Sequence, residues 1–137
     1  MAWFRPVACD GPVLVVDDDA DARARVCGVL SRDGWRTAEA EDGCRGLDAV
    51  GAERPCLILL DLMMPEMDGF AFLRALRAQP EWAHLPVIVL TAKDVSGEDR
   101  KRLAGQADRI IRKGQLSLDD LAAAVRQVLV PVGLSRS

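Results

Sequence analysis

Three short runs of consecutive apolar residues constrain the fold of this chain more than any other feature. They are VLVVD (13–17), CLILLD (56–61) and PVIVLT (86–91), and each ends in a polar residue. Strands that helices cover on both faces need continuous apolarity rather than alternation. The runs therefore predict three central strands of a parallel sheet. RTAEA (36–40) and RIIRK (109–113) predict two less buried strands.

Helical patterns fill the segments between these runs. A first helix is expected after Asp19, a second near Asp42, a third around Phe70, a fourth after Ser96 and a fifth from Ser117. Strands that alternate with helices predict a parallel sheet with helices on both faces. The expected fold is α/β, a doubly wound five-stranded parallel sheet with five helices.

Length and composition predict one globular domain. The chain has 137 residues, of which 50% are hydrophobic and 28% are charged. We expect the domain at 12–130, between an N-terminal tail at 1–11 and a C-terminal tail at 131–137. A net charge of -3 and the absence of tyrosine argue against nucleic-acid binding.

The chain also lacks an apolar run long enough to span a bilayer or to serve as a signal peptide, which argues against a membrane partner. The four cysteines form no C-x-x-C pair, and reduced thiols are the preferred interpretation. These features predict a cytoplasmic protein.

Polar residues at the predicted strand ends form the candidate site. In doubly wound sheets, ligands bind beyond the carboxyl ends of the strands, where the strand order reverses. The residues at these ends are Asp17, Asp18, Asp61, Thr91 and Lys113. Three carboxylates held together need a compensating cation, and Mg2+ prefers all-oxygen ligands. One carboxylate could then attack phosphorus, while Thr91 and Lys113 stabilise the phosphoryl oxygens.

Four sequence blocks resemble the response-regulator receiver domain of two-component signalling. They are VLVVDDD (13–19), LILLDLMMPEMDGF (57–70), VIVLTA (87–92) and IIRK (110–113). Thr91 follows Asp61 by 30 positions and Lys113 follows Thr91 by a further 22, which makes a chance match improbable. The resemblance implies a flavodoxin-like receiver fold. It also implies a signalling phosphoacceptor that phosphorylates and dephosphorylates itself with Mg2+, rather than a conventional turnover enzyme.

The resemblance assigns a role to each matching residue. Asp61 is the implied phosphoacceptor, and Thr91 and Lys113 would hold the phosphoryl oxygens. The implied Mg2+ ligands are Asp18, Asp61, the Met63 carbonyl and, through water, Asp17. The implied partners are a histidine kinase or histidine phosphotransfer domain, and a downstream protein that docks on the face between the fourth and fifth helices. The expectation includes no output domain: the chain is a single-domain regulator or the receiver of a hybrid histidine kinase.

Other interpretations of these residues agree less well with the sequence. Asp19 and Asp21 fit the start of the next helix better than a metal site. An EF-hand loop fails because Ala22 and Gly28 replace the required glycine and glutamate. A haloacid-dehalogenase-like phosphatase also forms an aspartyl phosphate, but Asp21 stands where that motif has Thr or Val. A third alternative is a pseudo-receiver that binds partners without phosphorylation.

The sequence departs from the usual receiver pattern after the fourth strand. Gly114 replaces the proline that usually follows the lysine, and Ile110 replaces the aromatic switch residue. We therefore expect signalling mainly through movement of Thr91 and the loop around Lys93, with little or no aromatic switching. Met63 and Lys93 stand where receivers tune access of water, and they predict a long-lived phosphoryl state.

Overall fold

Five parallel strands form one sheet in the computed structural model, which describes residues 11–62, 64, 68–91, 97–103, 107, 109–112 and 117–129. The strands are β1 (Val13–Val16), β2 (Thr37–Ala40), β3 (Leu57–Asp61), β4 (Val87–Thr91) and β5 (Arg109–Arg112). They lie in the order β2-β1-β3-β4-β5. All five predicted strands are confirmed, and their first residues agree with the prediction to within one position.

The described helices follow the strands in the predicted alternation. They are α1 (Ala20–Arg32), α2 (Gly43–Ala52), α3 (Gly69–Ala78), α4 (Gly97–Leu103) and α5 (Leu118–Leu129), with a short 3-10 turn at Pro80–Trp82. Buried residues of α1 and α5 pack on one face of the sheet, and those of α2, α3 and α4 pack on the other. The predicted α/β, doubly wound fold is therefore confirmed. Within the described ranges, no helix has the length and apolarity needed to cross a membrane.

Polar side chains begin the helices, as the sequence predicts. Asp19 accepts hydrogen bonds from the backbone N–H groups of Asp21 and Ala22, and Asp42 and Asp68 cap α2 and α3 in the same manner. At α5, the Ser117 hydroxyl accepts from the Asp120 N–H at 3.1 Å, and the Asp120 carboxylate accepts from the Ser117 N–H at 3.2 Å. This reciprocal pair satisfies two N–H groups that a helix start leaves unpaired. Ser96 and the outer tail residues lie outside the described ranges.

The cysteines do not all follow the sequence prediction. Cys27 and Cys44 are free, but Cys56 is disulfide-bonded, so the expectation of four reduced thiols is wrong for Cys56. The Cys56 N–H donates to the Pro12 carbonyl at 2.8 Å, so the segment before β1 runs beside Cys56. Spacing along the chain does not reveal this proximity. Burial raises the pKa of the Cys27 thiol, which therefore stays protonated at neutral pH.

Gly46 allows α2 to pack closely on the sheet and on α3. A Cβ at Gly46 would lie 2.8 Å from Phe72 Cε1 and 3.2 Å from Val16 Cγ2. Phe72 and Val16 are fully buried and have little room to move. We expect Gly46→Ala to lower the free energy of unfolding by about 1–2 kcal/mol, measured by urea denaturation.

Gly28 provides the matched control within α1, because a Cβ there meets nothing within 4 Å. Gly28→Ala is expected to raise the free energy of unfolding by about 0.5–1 kcal/mol, since alanine favours the helix. Equal effects of the two substitutions would contradict the packing argument.

Candidate functional site

The site lies where the strand order reverses, between β1 and β3. The chain passes from β1 to β2 on one side and then to β3 on the other side. Val16 pairs with Leu60 in the parallel register of β1 and β3. The next residues are Asp17 and Asp61, so the register alone brings two carboxylates to the same sheet edge.

Asp17, Asp18 and Asp61 form an acidic cluster. One carboxylate oxygen from each residue lies within 4.8 Å of the other two. Asp17 and Asp61 are each only 4% exposed, whereas Asp18 is exposed to solvent. Negative charges at this separation repel one another, and the repulsion grows where burial lowers the local dielectric. A set of oxygen donors with this charge fits a small divalent cation such as Mg2+.

The aspartates between β1 and α1 serve two different purposes. The Asp17 carboxylate accepts a hydrogen bond from the Asp19 N–H at 2.9 Å. The Asp19 carboxylate instead accepts from the Asp21 and Ala22 N–H groups at 2.9 and 3.3 Å. The predicted division is therefore confirmed in the geometry: Asp17 and Asp18 join the cluster, while Asp19 caps α1 and Asp21 lies in its first turn.

Thr91 ends β4, the strand that neighbours β3. Asp61 pairs with Leu90, so Thr91 lies one position further along this sheet edge and is fully buried. The structure thus brings Asp17, Asp18 and Asp61 together and places Thr91 on the adjoining strand. The other predicted site residues, Met63 and Lys113, lie outside the described residues. So do Lys93, on which the predicted phosphoryl lifetime depends, and Gly114, which replaces the usual proline.

The start of α3 packs directly on the end of β3. The Gly69 N–H donates to the Leu62 carbonyl at 3.1 Å. A Cβ at Gly69 would lie 2.8 Å from Leu62 Cα and 2.9 Å from the Asp61 carbonyl oxygen. Only glycine permits this approach, so Gly69 helps to define the backbone position of Asp61.

Arg23 is a site neighbour that the sequence interpretation missed. Its Nη1 donates to the Asp17 carbonyl oxygen at 2.6 Å, and its Nε donates to Glu39 Oε1 at 3.1 Å. The side chain is only 15% exposed. One signal could have identified Arg23: a cation near the N-terminus of a helix is opposed by the helix dipole, so its presence there calls for another partner.

Comparison with known protein families identifies the family to which the chain belongs. Residues 13–126 match the family described as the response regulator receiver domain. The chain is a member of that family. The resemblance predicted from the four sequence blocks is confirmed. The receiver domain is a signalling module of two-component response regulators, and accepting a phosphoryl group is the general role of the family.

Curated relatives agree with this assignment. The response regulator MprA of Mycolicibacterium vanbaalenii is 38% identical over 117 residues, which cover 85% of this chain and 49% of that protein. MprA of Mycobacterium tuberculosis (strain H37Rv) is also 38% identical, with 85% and 50% covered. This receiver thus spans about half the length of the curated relatives it matches.

Solved structures give the same result for the fold. The chemotaxis protein CheY4 of Vibrio cholerae superposes with a TM-score of 0.80 at 30% identity, covering 87% of this chain and 98% of that one. The signal receiver domain of a signal transduction histidine kinase from Syntrophus aciditrophicus has a TM-score of 0.78 at 33% identity, with 93% and 94% covered. Both comparisons confirm the flavodoxin-like receiver fold.

Charge repulsion within the acidic cluster predicts an unusual stabilising substitution. Without divalent cations, Asp18→Asn is expected to raise the free energy of unfolding by about 1 kcal/mol, because it removes one of the crowded charges. Added Mg2+ is expected to stabilise the wild-type receiver more than this variant. Urea denaturation in EDTA and in Mg2+ measures both effects.

Asp21→Asn provides the control, because Asp21 lies in the first turn of α1 outside the acidic cluster. Its loss is expected to lower the free energy of unfolding by a few tenths of a kcal/mol, roughly the size of a helix-dipole interaction. A destabilising effect of Asp18→Asn in EDTA would contradict the repulsion argument.

Proposed function

We propose that this receiver accepts a phosphoryl group from a phosphohistidine onto Asp61, with Mg2+ bound at the acidic cluster. The observation that carries the proposal is the three carboxylate oxygens within 4.8 Å of one another at the switch point of the sheet. Family membership over residues 13–126 supports the same chemistry. It also favours the receiver function over the dehalogenase-like phosphatase.

Each residue has a role in the proposed reaction. A carboxylate oxygen of Asp61 forms the bond to phosphorus while the phosphorus–nitrogen bond to the histidine breaks. The Thr91 hydroxyl donates a hydrogen bond to a phosphoryl oxygen, and Lys113 adds a positive charge there. Asp17, Asp18, Asp61 and the Met63 carbonyl are the proposed Mg2+ ligands. When bound, Mg2+ supplies charge neutralisation for the carboxylates and for the transferred group.

The biological setting is part of the same proposal. The partner that supplies the phosphoryl group is a histidine kinase or a histidine phosphotransfer domain, in the cytoplasm. The domain acts as a signalling phosphoacceptor with Mg2+-dependent self-phosphorylation and self-dephosphorylation, rather than as a turnover enzyme. A downstream protein docks on the face formed by α4 and α5.

Phosphorylation with a small donor tests the proposal directly. Incubation with acetyl phosphate and Mg2+ is expected to add the mass of one phosphoryl group, which peptide mass spectrometry locates at Asp61. Asp61→Asn should abolish the addition. Thr91→Ala should slow it about 100-fold, the usual cost of losing one donor to a developing oxyanion.

Two further variants sharpen this test. Thr91→Ser keeps the hydroxyl and should retain most of the rate, whereas Asp21→Asn removes a carboxylate outside the acidic cluster and should leave it unchanged. If acetyl phosphate adds no mass to the wild-type chain and beryllofluoride does not bind at Asp61, the pseudo-receiver alternative gains support and the proposal fails. Continuous hydrolysis of many phosphate esters would instead support the phosphatase.

A further inference from the structure

We propose that Arg23 is a positioning residue for the acidic cluster, which sets the affinity of this site for a divalent cation. Its guanidinium donates to the Asp17 carbonyl oxygen at 2.6 Å and to Glu39 Oε1 at 3.1 Å. This inference rests on the proposed function, since it assumes that Asp17 and Asp18 bind Mg2+.

The Asp17 carbonyl belongs to the peptide unit that joins Asp17 to Asp18. Because the peptide unit is planar, fixing its carbonyl fixes the orientation of the whole unit and so limits the positions that the Asp17 and Asp18 side chains can reach. The Asp17 N–H already donates to the Ala40 carbonyl at 3.1 Å. Arg23 adds the next anchor along the backbone, at the point where the chain leaves β1.

Glu39 holds the guanidinium in the orientation that this anchor requires. Glu39 lies on β2, beside Val15 of β1, and is half-exposed, whereas the Arg23 side chain is only 15% exposed. The planar guanidinium presents several N–H groups in fixed directions, so it can bond a carboxylate and a carbonyl at once. Lysine carries the same charge but lacks this fixed geometry.

The direction of the change in metal affinity distinguishes a positioning role of Arg23 from a purely electrostatic one. A positive charge beside a cation site repels the cation, so removing the charge alone would tighten metal binding. Removing an anchor of the ligands weakens metal binding instead. Arg23→Ala removes both the charge and the anchor, while Arg23→Lys keeps the charge and removes the two-point anchor.

Metal binding to the unphosphorylated receiver tests the inference. Mn2+ is titrated and its free concentration is followed by electron paramagnetic resonance, with Mg2+ as the competitor. Mutation of a residue that orients a metal ligand typically weakens metal binding 10- to 100-fold. Because Arg23 acts through a backbone carbonyl, we expect both Arg23→Lys and Arg23→Ala to raise the dissociation constant by about 3- to 10-fold.

Arg36 offers a matched control for these variants. It also pairs with a glutamate, Glu53, at 3.0 Å, but this pair is solvent-exposed and joins the segment before β2 to the segment after α2. Arg36→Lys should leave the dissociation constant of Mn2+ unchanged. Urea denaturation in EDTA, run on every variant, checks that the fold is intact at the temperature of the metal titration.

The possible outcomes are distinct. Tighter binding by Arg23→Ala, or unchanged binding by Arg23→Lys, would overturn the positioning role. If Arg23→Ala does not fold, Arg23→Lys decides alone because it keeps the charge and most of the aliphatic stem. A wild-type chain that binds Mn2+ and is phosphorylated on Asp61, with unaffected variants, contradicts only this inference. A wild-type chain that does neither contradicts the proposed function.

Discussion

The parallel register of β1 and β3 places Val16 beside Leu60, and it therefore brings Asp17 and Asp61 together at one edge of the sheet. Both strands are buried on both faces, so the register is fixed by the packing of their apolar side chains. Hydrophobic packing of the two strands thus brings two buried carboxylates close together. The acidic cluster depends on this alignment, and the register of β3 and β4 then places Thr91 on the adjoining strand.

The strands and helix starts could be predicted because their causes are local. A run such as LILL buries all of its apolar side chains only in a sheet that is covered on both faces. Asp19 and Ser117 can each cap only the helix that follows directly. The cluster could be predicted because each of its members directly ends or follows such a strand. For the same reason, Thr91 could be assigned to this edge before its burial was known.

Contacts between distant segments could not be predicted in this manner. Arg23 contacts a backbone carbonyl six residues before it and a side chain on β2. Its place near the start of α1 signals that it needs a partner, but the sequence does not say which group that partner is. The disulfide state of Cys56 depends on which segment passes beside the start of β3. The close packing of Gly46 depends on the ring position of Phe72 in another helix.

Among the described residues, the buried polar side chains are those of Asp17, Asp61 and Thr91, and all three belong to the carboxyl ends of neighbouring strands. Burial of a carboxylate costs free energy unless a charge or hydrogen bond compensates it. An apolar residue at these positions would extend the strands without requiring such a partner. Such local conflicts are expected where function, rather than folding, determines the residue. Here the conflict is confined to one sheet edge, and Asp19, two residues from Asp17, already obeys the ordinary rule for a helix cap.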